Sequence, residues 1–281
     1  REKEICLEAG IKYLGLASVS TSFLLFGLAL LFASTGSLEI GTVAGRLAEA
    51  EPGPLAVSGL AMTLAGLAFK LALAPFHMWA PDVYEGSPAP ATAFIATVSK
   101  GSVIAVLLRL FTPHGLLDSV PVFGFFLFLS VASMFVGNLL ALYQSKVKRM
   151  LACSSIAHMG YILVAFLAAG AMRFQAVAFY LVIYFIMSLG AFGAIAFLTG
   201  SSARDMDSFD DFRGLYRSRP WMAVFVTIMV LSLAGMPVTA GFFAKFFIVA
   251  AGVGSSLWLL VIIMIVNSGI KNVIMRTGPE T

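Results

Sequence analysis

The chain has 281 residues, of which 60% are hydrophobic and 11% charged, with a formal net charge of +4. A soluble domain carries about 25% charged residues, so a water-soluble globular fold is excluded, and the positive balance (pI ≈ 9.1) needs no nucleic-acid partner. Apolar runs of about 20 residues, rather than alternating strands of about 10, imply an all-α, polytopic membrane helix bundle. The expected spans, in chain order, are 10–35, 55–79, 91–111, 119–143, 150–171, 174–199, 219–250 and 256–274, about eight transmembrane helices in a single domain covering 1–281. Arg1 stands before the first span and no signal-peptide pattern precedes it. A chain that does not open on Met reads as truncated at its N-terminus. Cys6 and Cys153 are far apart and in no CxxC pattern, which suggests neither a disulfide framework nor a metal site.

Two spans carry breakers. The second contains Pro75, and the seventh is interrupted by Ala234-Gly235-Met236-Pro237. Proline removes a helical hydrogen bond and kinks or breaks the helix. Loop charge decides whether 219–250 is one crossing or two. With one crossing, the side of the N-terminus, X, carries Arg1, Lys3, Lys12, Lys146, Lys148, Arg149, Arg204, Arg213, Arg217, Arg219, Lys271 and Arg276. The opposite side, Y, carries Arg46, Arg109 and Arg173. That asymmetry makes X cytoplasmic and 219–250 a single discontinuous helix.

Lys70, Lys100 and Lys245 lie inside apolar segments that hold no acidic residue. A charge at mid-bilayer costs about 2.5–3.5 kcal/mol on insertion scales, so such a residue marks function by default. Loss of water also makes a lysine easier to deprotonate, which converts a fixed charge into a proton carrier. At a rise of ~1.5 Å per residue, Lys70 and Lys100 lie ~14 Å deep and His158 ~12 Å, while Lys245 lies beyond the break toward Y. Snorkelling toward the Y interface is an alternative for Lys245. Ser154, His158 and Tyr161 share one helical face, as do Tyr180, Tyr184 and Ser188 on the next helix, and Thr97 and Lys100 stand i, i+3. Such faces either line a wet path or glue helices together. His158 favours the former, because imidazole titrates near neutral pH. His114 falls in a Y-side loop and reads as a surface residue. No nucleotide-binding glycine loop, dinucleotide fingerprint or iron–sulfur cysteine cluster is present.

The stretch Phe76-His77-Met78-Trp79-Ala80-Pro81-Asp82-Val83-Tyr84-Glu85-Gly86-Ser87-Pro88, followed by ATVSK ending at Lys100, closely resembles the N subunit (subunit 2) of complex I, the proton-pumping NADH:quinone oxidoreductase. LEAGIKY at Leu7–Tyr13, KRMLACSSIAHMGY at Lys148–Tyr161 and LAGMPVTAGFFAKF at Leu233–Phe246 extend the resemblance in order over most of the chain. The resemblance implies an antiporter-like fold with inverted repeats and discontinuous helices around Pro75 and Pro237. It further implies that Lys70, Lys100 and Lys245 relay protons, with His77, His158 and Tyr161 near the path. Pro75, Trp79, Pro81, Asp82, Glu85, Gly86, Pro88 and Pro237 are then motif and structural positions. The family pairs its first lysine with a glutamate on a helix preceding LEAGIKY, which this chain does not contain. After Ser268 the chain departs from the family pattern and reads as truncated at this end too, so that it holds the middle and later part of the family's domain.

The implied function is proton translocation across a membrane as part of an NADH:quinone oxidoreductase translocase. Redox chemistry belongs to other subunits: NADH, FMN, iron–sulfur clusters and quinone are expected there, and no cofactor or metal in this chain. Partners are other membrane-arm subunits, the lipid bilayer and protons, with no nucleic acid. The expected location is a bacterial inner (plasma) membrane, with an organellar inner membrane as the alternative. Three rivals stay open: a subunit of a multi-subunit Na+/H+ antiporter or membrane-bound hydrogenase, a non-pumping brace, and a stand-alone solute transporter.

Overall fold

The computed structural model describes residues 2–49, 52–200 and 208–277. Arg1 and Arg204 lie outside the described residues, as do the side chains of Lys3, His114, Lys271 and Arg276. The helices are α1 (Glu2–Thr35), α2 (Ile40–Glu49), α3 (Pro54–Leu71), α4 (Trp79–Gly86), α5 (Ala89–Phe94), α6 (Lys100–Phe111), α7 (Val120–Leu142), α8 (Val147–Leu167), α9 (Ala171–Thr199), α10 (Leu215–Ser218), α11 (Pro220–Ala234), α12 (Ala240–Gly254) and α13 (Trp258–Thr277). A π turn, Ile95–Ser99, joins α5 to α6, so that Ala89–Phe111 runs as one span. Among the described residues six helices are long and apolar enough to cross a membrane, and α11, α12 and the apolar start of α13 are shorter. Joining α11 and α12 as halves of one broken crossing gives the expected eight.

Both expected interruptions are present, and both are built the same way. α3 ends on Ala72 in the left-handed conformation, φ 57°. The Ala72 N–H donates to the Phe69 carbonyl at 2.9 Å and the Leu73 N–H to the Ala68 carbonyl at 3.0 Å. Those bonds satisfy carbonyls that a helix end orphans. The following Ala74–Pro75 bond is cis, and the Ala74 N–H is taken by Ser133 Oγ at 2.9 Å. α11 ends on Gly235, φ 80°, with Gly235 and Met236 N–H groups on the Leu231 carbonyl at 3.0 and 3.2 Å. Pro237 then prevents continuation. Thr239 opens α12, and the Gly241 N–H finds Ser232 Oγ at 3.0 Å.

The sequence expectation placed one helix over 55–79. The chain instead leaves the helix at Leu71 and re-enters it at Trp79, so Asp82 and Glu85 sit on α4 rather than just after a span. Pro81 occupies the first turn of α4, where a missing N–H is tolerated, and Pro88 caps α5. α2 was not anticipated. Its Val43, Ala44 and Leu47 are buried against the bundle, and the Arg46 guanidinium donates to the Thr35 carbonyl at the end of α1.

α8 is the centre. Every residue from Leu151 to Leu167 is buried, whereas only 17% of the corresponding window of α1 is. α7 lies against α8 closely because Gly137 faces it: a Cβ at Gly137 would stand 2.5 Å from the Ala157 backbone nitrogen. Small residues permit this approach in membrane helices, where lipid removes the hydrophobic drive for association. Ser130 Oγ adds a bond to the Gly160 carbonyl at 2.9 Å.

Candidate functional site: a buried polar axis

α8 carries its polar side chains toward helices on both sides. Lys100, at the start of α6, is fully buried, and its Nζ donates to Ser155 Oγ at 2.7 Å. Ser155 Oγ lies 2.6 Å from the Tyr184 hydroxyl of α9. The Tyr84 ring stands 5.8 Å from Lys100 Nζ, within reach of a cation–π attraction. One turn further along α8, His158 Nδ1 is 2.6 Å from the Tyr180 hydroxyl. The His158 ring also touches Tyr184 and Tyr161, with centroids 5.4 and 5.8 Å away.

The axis continues to the second break. Lys245 Nζ lies 5.2 Å from the Tyr161 ring centroid. It donates to the Ala234 carbonyl and to Ser268 Oγ, each at 2.7 Å. Ala234 ends α11, so the ammonium meets the negative end of that half-helix. Lys245 thus folds back to the break, and is only 7% exposed; it does not snorkel to the Y interface. Behind Tyr161, Asn138 Nδ2 donates to its hydroxyl at 3.0 Å and to the Asn267 carbonyl at 3.2 Å.

Lys70 stands apart. It occupies the last turn of α3, half-buried, and no hydrogen bond or ion pair joins it to another described residue. His77, within the first break, is buried with Nδ1 unpartnered among the described residues. The structure therefore brings Lys100, His158, Tyr161 and Lys245 into one series of buried hydrogen bonds and ring contacts and leaves Lys70 and His77 beside the first break.

At the X end the motif acids form a charge cluster. Glu85 pairs with Lys146 at 2.6 Å and Arg149 at 2.7 Å. Asp82 pairs with Arg149 at 3.0 Å and Lys12 at 3.1 Å. Lys148 Nζ donates to the Ser87 carbonyl at 2.9 Å, beside Gly86 at the close of α4. Burial would raise the Glu85 carboxyl, but hydrogen bonds from Lys146 and Arg149 outweigh it and hold the carboxyl below its ordinary value. The cluster fastens α4 to α1 and to the start of α8.

Sequence reasoning named Ser154 for the axis, and Ser155 is the residue that meets Lys100. Tyr84, Asn138 and Asn267 were not singled out, although each is a polar group within or beside an apolar run. Chemically, the path alternates groups that hold and pass protons. The amine, hydroxyls and imidazole are linked by contacts of 2.6–2.7 Å at Lys100–Ser155, Ser155–Tyr184 and His158–Tyr180. No group of three metal-binding side chains occurs among the described residues.

Comparison with known proteins gives consistent matches. The family model described as NADH:quinone oxidoreductase/Mrp antiporter, transmembrane, matches residues 1–271. A NADH-quinone oxidoreductase subunit N from Methylococcus capsulatus is 48% identical over 268 residues, covering 94% of this chain and 54% of the relative. One from Ectopseudomonas mendocina is 47% identical over 270 residues, covering 94% and 53%. The chain thus spans about half the length of the curated relatives it matches. Among solved structures, respiratory complex I from Thermus thermophilus with bound aureothin matches at TM-score 0.79 and 38% identity, covering 94% of this chain and 57% of that one. The Mrp complex from Dietzia sp. DQ12-45-1b shares the fold at TM-score 0.84 and 24% identity, covering 96% and 49%.

Proposed function

This chain belongs to the NADH:quinone oxidoreductase/Mrp antiporter transmembrane family, and we propose that it translocates protons as a membrane-arm subunit of an NADH:quinone oxidoreductase. One observation carries this reading: a buried series of contacts along α8 from Lys100 to Lys245, hydrogen bonds at Lys100–Ser155–Tyr184 followed by ring contacts through His158 and Tyr161. A bundle held together by helix glue alone gains nothing from burying two lysines that meet no carboxylate among the described residues. The names of the relatives at 47–48% identity support complex I over the antiporter and hydrogenase rivals.

In this reading Lys100 is the central relay, Lys245 the exit and Lys70 the switching site. His77, His158 and Tyr161 complete the path. The chain acts as a single antiporter-like domain, part of a longer family unit. Its partners are other membrane-arm subunits, and the NADH, flavin, iron–sulfur and quinone chemistry belongs to other subunits of the complex. The X face is cytoplasmic and the membrane is a bacterial inner membrane. Supporting this, Lys12, Lys146, Lys148 and Arg149 converge on the α4 end of the bundle, as the loop-charge rule requires.

The test is Lys100→Met in sealed membrane vesicles energised by NADH, with a pH-sensitive dye and NADH oxidation followed together. The expected result is an assembled complex whose pH gradient per NADH falls. A normal gradient would overturn the relay.

A further inference from the structure

Tyr84 is fully buried, and its hydroxyl makes no hydrogen bond among the described residues. A buried hydroxyl left unbonded is costly and calls for an explanation. Its setting supplies one. The ring faces Lys100 Nζ and meets the edge of Phe192, centroids 5.9 Å apart. Tyr184 lies close enough to act on the hydroxyl electrostatically, and Ser155 stands at the margin of hydrogen-bond reach, near the hydroxyl but short of a well-formed bond. On the backbone, Tyr84 is flanked through Val83 by Asp82 and directly by Glu85, whose carboxylates hold the X-face cations Lys12, Lys146 and Arg149. The residue therefore sits on the same helix as the acids of the X-face cluster while its ring faces the buried amine.

We infer that the Tyr84 hydroxyl is a further proton-relay group, one that takes protons arriving from the Asp82–Glu85 side and delivers them to the Lys100–Ser155–Tyr184 centre. The chemistry balances without an added reactant. The phenol oxygen accepts a proton from a water molecule on its free lone pair as its own proton passes to the neutral Lys100 amine, either directly or through Ser155 Oγ, whose own proton moves on to that amine as it accepts the tyrosine's. The tyrosine ends neutral with its hydroxyl turned, and the water's hydroxide is neutralised from the X side. Without a well-formed bond among the described residues, the hydroxyl can turn between the two sides. A tyrosine retained only for its shape would lose nothing with its hydroxyl.

That contrast makes the test. Tyr84→Phe keeps the ring, its contact with Phe192 and its face toward Lys100, and removes only the unbonded hydroxyl. In vesicles holding the assembled complex, the expected result is several-fold less proton pumping per NADH with assembly retained. Pumping at the native level would overturn the inference. Should the phenylalanine variant not assemble, a fluorinated tyrosine at position 84 keeps shape and hydroxyl while acidifying it. The pH profile of pumping should then shift toward acid, and an unmoved profile would overturn the inference. The inference rests on the proton path proposed above. Normal pumping by Lys100→Met removes that path, whereas defective Lys100→Met with normal Tyr84→Phe removes only the role of Tyr84.

Discussion

The ammonium of Lys100 donates to a neutral oxygen, Ser155 Oγ, where a buried cation is ordinarily met by a carboxylate. Ser155→Ala removes this acceptor and the link to Tyr184 together. With the acceptor and the link both gone, pumping per NADH should fall several-fold. Dye quenching normalised to NADH oxidation reads this directly, and an unchanged ratio would remove Ser155 from the path. The burial of Lys100 and the shared face of His158 and Tyr161 on α8 were legible from the sequence. The choice between Ser154 and Ser155 was not, because adjacent residues stand about 100° apart on a helix and the neighbour's phase decides which one meets it. That phase is set by the π turn Ile95–Ser99 directly before Lys100, which no proline or glycine in the turn announces. Gly235 is similarly local. Its φ of 80° suits glycine, and a Cβ there would lie 2.7 Å from Lys245 Nζ, so one residue both turns the chain and admits the lysine to the Ala234 carbonyl.

At the scale of elements, α4 is held by charge at one end and by aromatic contact at the other. Trp79 Nε1 donates to the Phe69 carbonyl at 3.0 Å, capping α3 across the break, and the Trp79 ring stacks on Phe69 with centroids 5.7 Å apart. Glu85, below its ordinary carboxyl value of 4.5, stabilises the fold fully above that value. The contribution is lost as pH falls through the lowered folded-state value. Thermal melting of the detergent-solubilised complex should therefore decline as pH falls below 4.5 for the native chain, with a smaller acid-dependent decline for Glu85→Gln. Equal declines would place the acid sensitivity elsewhere. Both helix interruptions were readable, since Pro75 and Pro237 announce them. The separate identity of α4 was not, because the apolar run through Phe76 and Trp79 hides the turn that begins at Ala72. α2 carried a usable signal in Ile40, Val43, Ala44 and Leu47 at helical spacing, but its ten residues fall short of a span.

At the scale of the molecule, the bundle wraps one helix completely. α8 touches α4 and Lys100 of α6 on one side and α9 on another, with α7 and the second break closing around it. α1, by contrast, leaves Leu7, Ile11, Leu14, Leu25 and Phe26 on the outside. Lipid tolerates almost any apolar side chain, while a close-packed interior notices a single methylene. A survey of every single substitution, scored by respiratory growth, should therefore write two different signatures. Along α1, permissive and forbidden positions should alternate with the turn of the helix. Along Leu151–Leu167 no such rhythm should survive, because α8 has no outward side on which a change could go unnoticed; a clear period there would mean that part of its surface faces lipid after all.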